Sequence, residues 1–410
     1  MLVGLSELKS EAVVMRLIES NKFNATSILD DFLMPRRRLV GHADIVNFLS
    51  DVSREILQSR SCRDYPDVIT FGYFCRKSAI ERALQERQSV RNRFGWGVAV
   101  HIAPSNVPVN FAFSFVFGLL AGNNNLVRLP SSTWPQVDLL VSIFETVAKS
   151  GKYEGISNNN AFVRTERDSL ELQHIIANCD ALIVWGGDET VATFRKMDKK
   201  PRCVELYFPD RKSSLVINAK TVATTEEDQI QKIAESFFND TYLVDNNACS
   251  SPRQILWVGE GDDVSAAKEK FWLAVDSVIK SKDYELNVIA KIDRYLDVMK
   301  SVESAKAPVK VNRLSEDIWL TAKNEEVLIG RLGRFSESNF TTLERALKTL
   351  EEDEQTLTYI GFNREYVENN VLENDVIVDR VVPVGMALDI GFYWDGVDVL
   401  HRLSRIVDIR

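Results

Sequence analysis

Between Gly95 and Pro130 the chain sets out one compact plan. It reads Gly97-Val98-Ala99-Val100-His101-Ile102, then Ala103-Pro104-Ser105-Asn106, a mainly apolar stretch over residues 107–121, Gly122, and Leu126-Val127-Arg128-Leu129 before Pro130. A short apolar run of this kind suits a strand buried on both faces, and Pro104 ends its ladder. Pro108 fits the first turn of a helix reaching Leu120, and Gly122 fits its end. Strand, helix and strand within about thirty residues form a βαβ unit, and such a crossover makes the two strands parallel. The unit therefore commits the chain to a parallel sheet covered by helices.

The same alternation recurs. Ala181-Leu182-Ile183-Val184-Trp185 is a second strongly apolar run, followed by Gly186-Gly187-Asp188-Glu189. Asp188 reads as the N-cap of a helix through Arg195, and a strand, glycine turn and helix N-terminus is an arrangement in which phosphates bind. No Gly-x-Gly-x-x-Gly occurs, so a plain strand-to-helix turn is an equal reading. Residues 203–208, 214–217, 254–258 and 358–361 read as further strands, and Val381-Val382-Pro383-Val384-Gly385 as a final strand and turn. Thr224-x-x-Glu227 has the pattern of a capping box opening a helix with Ile230, Ile233 and Phe237 on one stripe. Helices are also expected over residues 44–57, 264–279 and 343–350, and from a Ser6 cap through Leu17 and Ile18. Two α/β layers joined near residues 205–215 follow.

At 410 residues, two domains are the prior. The formal net charge of -9 disfavours nucleic acid or an anionic membrane as partner. Arg36-Arg37-Arg38 reads as a solvated turn. Residues 107–121 are too few to span a bilayer, which takes about 20 apolar residues. No cationic apolar leader opens the chain, which predicts no secretion. Cys62, Cys75, Cys179, Cys203 and Cys249 are odd in number, scattered and never paired as CxxC, and the four histidines lie apart from them. Neither a metal site nor a disulfide framework is expected, and a reducing, cytoplasmic setting is.

Cys249 sits in Asp245-Asn246-Asn247-Ala248-Cys249-Ser250-Ser251-Pro252, between an amphipathic segment and the apolar run Gln254-Ile255-Leu256-Trp257-Val258. Small neighbours leave its sulfur room for a substrate. A buried inert cysteine is the commoner case on residue type alone. His101 admits two readings, a general base or a hydrogen-bonded structural histidine, and the second is favoured. Phe111, Phe113, Phe115 and Phe117 either line an apolar tunnel or form plain core.

Ile102-Ala103-Pro104-Ser105-Asn106-Val107-Pro108 with Ala121-Gly122-Asn123 resembles the Pro-Trp-Asn-Phe-Pro and Ala-Gly-Asn segments of the aldehyde dehydrogenase superfamily. Within it, Asn246-Asn247-Ala248-Cys249-Ser250-Ser251-Pro252 is similar to the active-site segment of the LuxC-type acyl-CoA reductases. Val382-Pro383-Val384-Gly385-Met386-Ala387-Leu388-Asp389 and Trp394-Asp395-Gly396 resemble that family's C-terminal segment. The resemblance implies an α/β, aldehyde dehydrogenase-like fold of two doubly wound domains with the active site between them. The expected division is a nucleotide-binding domain with a helical N-terminal segment over 1–210, a catalytic thiol domain over 211–385, and a tail over 386–410 packing back on the body.

The resemblance implies that Cys249 attacks an acyl thioester and becomes acylated, helped by a helix end or a cation. It assigns Asn106 to the oxyanion, together with the cysteine N–H; capping of the following helix is the alternative. It places a nicotinamide cofactor against Ser105, Arg128, Ser131, Gly187 and Asp188. Ser131 stands where NAD-selective relatives often carry a glutamate, and Arg128 adds donors, so NADPH is expected. The bland reading puts Arg128 at a sheet edge. Glu205 resembles the superfamily's water-activating glutamate. Tyr207 and Phe208 replace the glycines that should follow it, so Glu205 is expected to be displaced or weakly used. The expected reaction is NADPH-dependent reduction of acyl-CoA or acyl-AMP to the aldehyde, with an acyl-protein synthetase as partner and a homo-oligomeric state. An acyl-thioester hydrolase or acyltransferase using Cys249, or an acyl-carrying subunit, are the alternatives.

Overall fold

The computed structural model describes residues 15, 17–19, 22, 24–26, 28, 38–86, 92–304, 310–322 and 330–410. The chain divides into two compact units, Met1–Pro209 with Gly391–Arg410, and Asp210–Ile390.

The first unit is built on a six-stranded sheet in the order β1-β5-β4-β3-β6-β7. Its strands are β1 (Leu17–Ile18), β3 (Val98–Ile102), β4 (Asn124–Arg128), β5 (Asn160–Val163), β6 (Ala181–Trp185) and β7 (Val204–Phe208); the short β2 (Arg93–Gly95) lies outside it. Every neighbouring pair in the sheet is parallel. The chain winds from β3 outward through β4 and β5, then returns to the other side of β3 for β6 and β7. This is a doubly wound sheet, and ligands of such sheets bind beyond the carboxyl ends of the strands where the winding reverses. The unit's helices include α1 (Ala43–Gln58), α2 (Asn110–Leu120), α3 (Pro135–Ala148), α4 (Leu170–Asn178) and α5 (Asp188–Arg195).

Helix α2 is buried on all sides. Phe111 and Phe115 meet Phe162, Phe113 meets Phe71 and Phe74, and Phe117 meets Phe392 and Trp394. The four phenylalanines are buried and pack as core. The helix ends in a Schellman turn, in which Gly122 N–H donates to Leu119 and Asn123 N–H to Gly118. Gly122 has φ +88°, and a Cβ there would lie 2.1 Å from the Arg38 carbonyl oxygen. Gly118 serves close approach instead, since a Cβ would stand 2.0 Å from Asn125 Oδ1 and 2.7 Å from His101 Nε2. The chain's end returns to this unit. The strand Ser404–Ile406 pairs antiparallel with β2, and Arg93 donates to Ser404 Oγ at 2.9 Å and to the His401 carbonyl at 2.7 Å.

The second unit carries a seven-stranded sheet, β10-β11-β12-β9-β8-β13-β14. Its strands are β8 (Lys212–Asn218), β9 (Gln254–Val258), β10 (Val311–Arg313), β11 (Trp319–Ala322), β12 (Arg334–Phe340), β13 (Glu354–Ile360) and β14 (Arg380–Pro383). All pairs are parallel except β10 with β11. Alternate side chains feed opposite faces. Leu215, Ile217, Ile255 and Trp257 pack with α6 (Glu227–Thr241) and α7 (Gly261–Ser281). Val216, Leu256 and Val258 pack with α8 (Leu343–Leu347) and α9 (Arg364–Glu373).

Several local expectations are corrected. Leu17 and Ile18 form β1, where pairing with β5 overrides their helical spacing; Ser6 and residues 7–14 lie outside the described residues. Arg38 is half-buried and donates to the Gly155 carbonyl, so it is no solvated turn residue; Arg36 and Arg37 lie outside the described residues. Thr224 ends a separate helix, Ala219–Thr224, and the N-cap of α6 is Glu226 without a side-chain bond, so no capping box forms. Asp188 is the first helical residue of α5, whose N-cap is Gly187. Strand β14 is followed by further strands in the tail. No helix among the described residues is long and apolar enough to cross a membrane.

Candidate active site

In the second unit, α6 runs into the short turn Tyr242–Val244 and then into two successive left-handed residues, Asp245 at φ 51° and Asn246 at φ 55°. Asp and Asn tolerate this conformation best, and surrounding bonds must hold it. They do: Tyr284 donates to Asp245 Oδ1 at 2.7 Å, Leu332 N–H to the Asp245 carbonyl at 3.1 Å, and Asn246 N–H to Thr241 at 2.7 Å. The Asn246 side chain is fully buried, and neither of its amide atoms has a hydrogen-bond partner among the described residues.

Cys249 is half-buried in the turn that follows. Three consecutive carbonyls around it are captured. Arg253 Nη2 donates to those of Asn247 at 3.1 Å and Ala248 at 3.4 Å. The Ser213 hydroxyl donates to that of Cys249 at 2.6 Å and accepts from Thr356 N–H at 3.1 Å. Burial lowers the pKa of the Arg253 guanidinium, and the Cys249 sulfur opposes that shift. Among the described residues, Arg253's side-chain hydrogen bonds reach those carbonyls and no carboxylate.

The helix that delivers this loop also holds the 384–389 segment. Asp240 accepts from Gly385 N–H at 2.6 Å and Ala387 N–H at 2.8 Å, and Arg380 donates to the Met386 and Ala387 carbonyls at 2.7 and 2.9 Å. Burial pushes the Asp240 carboxyl up to about 6 against these two N–H donors. Ser213, Asp240 and Arg253 escaped the sequence reading. Only Arg253, a cation four positions past the candidate thiol, left a signal there.

In the first unit, the carboxyl ends of three adjacent strands gather most of the remaining expected residues. Ser105 and Asn106 follow β3, Ser131 follows Arg128 at the end of β4, and Gly187 and Asp188 follow β6. Trp134 Nε1 donates to the Ser105 carbonyl at 3.1 Å and ties the first two loops together. Asn106 is exposed, and α2 begins at Asn110 with Val109 as an uncapped N-cap, so Asn106 is no helix cap. Arg128 lies within the sheet, between β3 and β5, and not at an edge. Its side chain is buried and donates to the Thr165 carbonyl at 3.0 Å; burial lowers its pKa, and Arg167 adds to that.

Glu205 does not join them. It stands opposite Leu182, at the amino-terminal half of the parallel sheet, about 10 Å along the strand from its carboxyl end. Its carboxylate accepts from Tyr207 and pairs with Lys199 at 3.3 Å, and Lys199 also caps the end of α5 through the Phe194, Arg195 and Met197 carbonyls. The carboxyl end of β7 carries Phe208, stacked on Trp185 at 3.9 Å.

His101 is fully buried under α2. Nδ1 lies 2.7 Å from Ser114 Oγ, Nε2 lies 3.0 Å from Asn125 Oδ1, and Trp185 Nε1 donates to Ser114 at 2.8 Å. The network fits a neutral ring protonated on Nε2, and burial pushes its pKa down to about 4. It is a structural histidine. Cys179 closes α4, and Cys203 precedes β7, so neither lies on a strand; their sulfurs are 3.6 Å apart. A surface cavity of about 750 Å³ between α4 and α5, lined by Gln173, His174, Thr193 and Lys196 among others, holds none of the expected site residues.

Comparison with solved structures places the fold. A lactaldehyde dehydrogenase aligns with a TM-score of 0.65 over 93% of this chain and 90% of that one, at 12% identity. A 1-pyrroline-5-carboxylate dehydrogenase mutant from Thermus thermophilus aligns with a TM-score of 0.64 over 93% and 84%, also at 12% identity. The fold is that of the aldehyde dehydrogenases. Among characterised proteins, the long-chain acyl-protein thioester reductase of Aliivibrio fischeri is 27% identical over 40% of this chain and 32% of its own length. That of Photobacterium phosphoreum is 21% identical over 76% and 62%. The matched stretches thus span less than two thirds of those relatives. The family model described as acyl-CoA reductase (LuxC) matches residues 74–307, more than half of the sequence and the whole of the cysteine loop, and the chain belongs to that family.

Proposed function

We propose that the protein reduces an activated acyl thioester, with acyl-CoA as the expected form, to the aldehyde through an acyl group held on Cys249. The observation that carries this reading is the cysteine loop, a half-buried sulfur on a turn fixed by Ser213 and Arg253. The Cys249 thiolate attacks the carbonyl carbon and forms an S–C bond. The tetrahedral oxyanion then collapses and expels the carrier thiolate. Asn106 is the expected side-chain donor to that oxyanion, and the structure leaves its amide without a capping duty. After reduction, the hemithioacetal C–S bond breaks, the sulfur recovers its electron pair, and aldehyde leaves.

The reductant belongs to the crevice of the first unit. The reversal of winding between β3 and β6 fits a dinucleotide, with Ser105, Ser131 and Gly187 at its rim. Bound there, a nicotinamide cofactor supplies the hydride. The α5 N-terminus carries Asp188 and Glu189, which disfavour a phosphate directly over it. NADPH remains the expected form because Ser131 offers no carboxylate against a 2′-phosphate, although Arg128 directs Nε and Nη1 to the Thr165 and Leu129 carbonyls.

The hydrolase reading needs a carboxylate to activate water, and Glu205 is tied to Tyr207 and Lys199 away from the strand ends. That favours reduction. A series of acyl-CoAs from acetyl to myristoyl, and acyl-AMP, followed by NADPH absorbance at 340 nm, tests it. Oxidation of NADPH with release of aldehyde is expected. Thioester loss without NADPH oxidation supports the hydrolase, stable acylation of Cys249 without aldehyde supports an acyl-carrying subunit, and a flat trace throughout overturns the reductase.

A further inference from the structure

We propose that Arg253 is the positioning residue of Cys249, orienting the peptide planes of its loop and facing the sulfur with the positive charge that a thiolate needs. The inference deepens the reading of Cys249 as nucleophile and rests on it.

A trans peptide is planar, so the carbonyl of one residue and the N–H of the next point in opposite directions. By holding the Asn247 and Ala248 carbonyls, Arg253 sets the directions of the Ala248 and Cys249 N–H groups. Ser213 does the same for Ser250 through the Cys249 carbonyl. All three carbonyls are drawn toward the protein, and the N–H groups of the turn are turned the other way. The Cys249 N–H is one of the two donors expected for the oxyanion. The Ala248 carbonyl also accepts from Ser251 N–H at 3.1 Å, so that direction is set by Arg253 together with this backbone turn and not by a helix.

Arg253 is itself anchored. Its N–H donates to the Ser213 carbonyl at 2.9 Å and its carbonyl accepts from Ser336 N–H at 3.0 Å, which stitches it between β8 and β12. Its Nε is enclosed and has no hydrogen-bond partner among the described residues. Among the described residues the other charges around it are Arg331 and Asp210, of opposite sign, and Arg331 is already paired with Asp297 at 2.7 Å. Among the described residues no carboxylate is hydrogen-bonded to the guanidinium, and the Cys249 sulfur, with the Asp210 carboxylate beside it, answers its charge. A buried cation left unanswered is costly, which favours the thiolate over the thiol.

The test is the pH dependence of iodoacetamide alkylation at Cys249, read by peptide mass spectrometry on the full chain without substrate or cofactor. The wild-type midpoint is expected below that of a free cysteine, roughly 8.5. Arg253→Gln should raise it and slow alkylation at pH 7 by about tenfold, whereas Arg253→Lys should keep most of the shift but lower kcat for acyl reduction with little change in KM. Ser213→Ala leaves the charge in place and should leave the midpoint unchanged. A wild-type midpoint at or above the free value overturns the proposal, even if Arg253→Gln fails to fold. So does a folded Arg253→Gln with the wild-type profile. Because alkylation needs neither acyl group nor cofactor, a lowered midpoint alongside a flat reductase assay would fail the proposed reaction and leave the role of Arg253 standing.

Discussion

At the residue scale, Asn106 and Glu205 separate most clearly, because the structure gives one a free hand and the other two partners. Asn106 caps nothing and lies exposed in the loop after β3. Removing an oxyanion donor costs about 100–1,000-fold in kcat, and Asn106→Ala should show a loss of that size in steady-state reduction while the protein unfolds at the wild-type temperature. Normal turnover would remove Asn106 from the chemistry. Glu205 accepts from Tyr207, sits against Lys199, and occupies the wrong end of its strand. Glu205→Gln should therefore leave aldehyde formation within about twofold of wild type, with no change in the ratio of aldehyde to free acid. A fall in free acid would show that Glu205 does bring water to the acyl-enzyme. Both residues were visible in the sequence, but only the register of β7 against β6 could tell them apart.

At the element scale, the strands were legible because parallel strands buried on both faces read as uninterrupted apolar runs; β6 and β9 fall where those runs lie. Elements fixed by distant partners were not. Leu17 and Ile18 carry a helical spacing but pair with Phe162 and Val163. The cysteine loop shows the same limit. Ser213 is 36 residues from Cys249, and Asp240 is 145 residues from Gly385, so no local pattern announces either. Helix α2 gives the sharpest test of packing over propensity. In an isolated helix Gly→Ala stabilises by about 1 kcal/mol. At Gly118 the added Cβ would lie 2.0 Å from Asn125 Oδ1 and 2.7 Å from His101 Nε2, both buried and hydrogen-bonded to each other. Gly118→Ala should instead destabilise by about 3 kcal/mol, read as a lower urea midpoint, because the helix must back away from the sheet. An unchanged midpoint would mean that α2 is not packed as tightly as this spacing requires.

At the scale of the whole molecule, the two units carry buried titrating groups of opposite sign, and pH should act on them differently. In the first unit His101 has its pKa pushed down to about 4 from 6.5 by burial. Unfolded chain takes up that proton first, so this contribution is complete above pH 6.5 and is lost as pH falls toward 4. In the second unit Asp240 is pushed up to about 6 from 3.8 by burial. Folded chain keeps that proton longer, so the contribution is complete below pH 3.8 and is lost as pH rises through 6. Each shift is worth of order 3 kcal/mol if fully expressed. Hydrogen exchange, corrected for intrinsic rates and followed between pH 7 and 5, should show β3 and α2 losing protection relative to α6 and the 384–389 segment. His101→Gln should abolish the loss in the first unit, and Asp240→Asn the gain in the second. Parallel behaviour of the two units, unaltered by either substitution, would show that these buried groups do not govern the acid response and that the exposed carboxylates do.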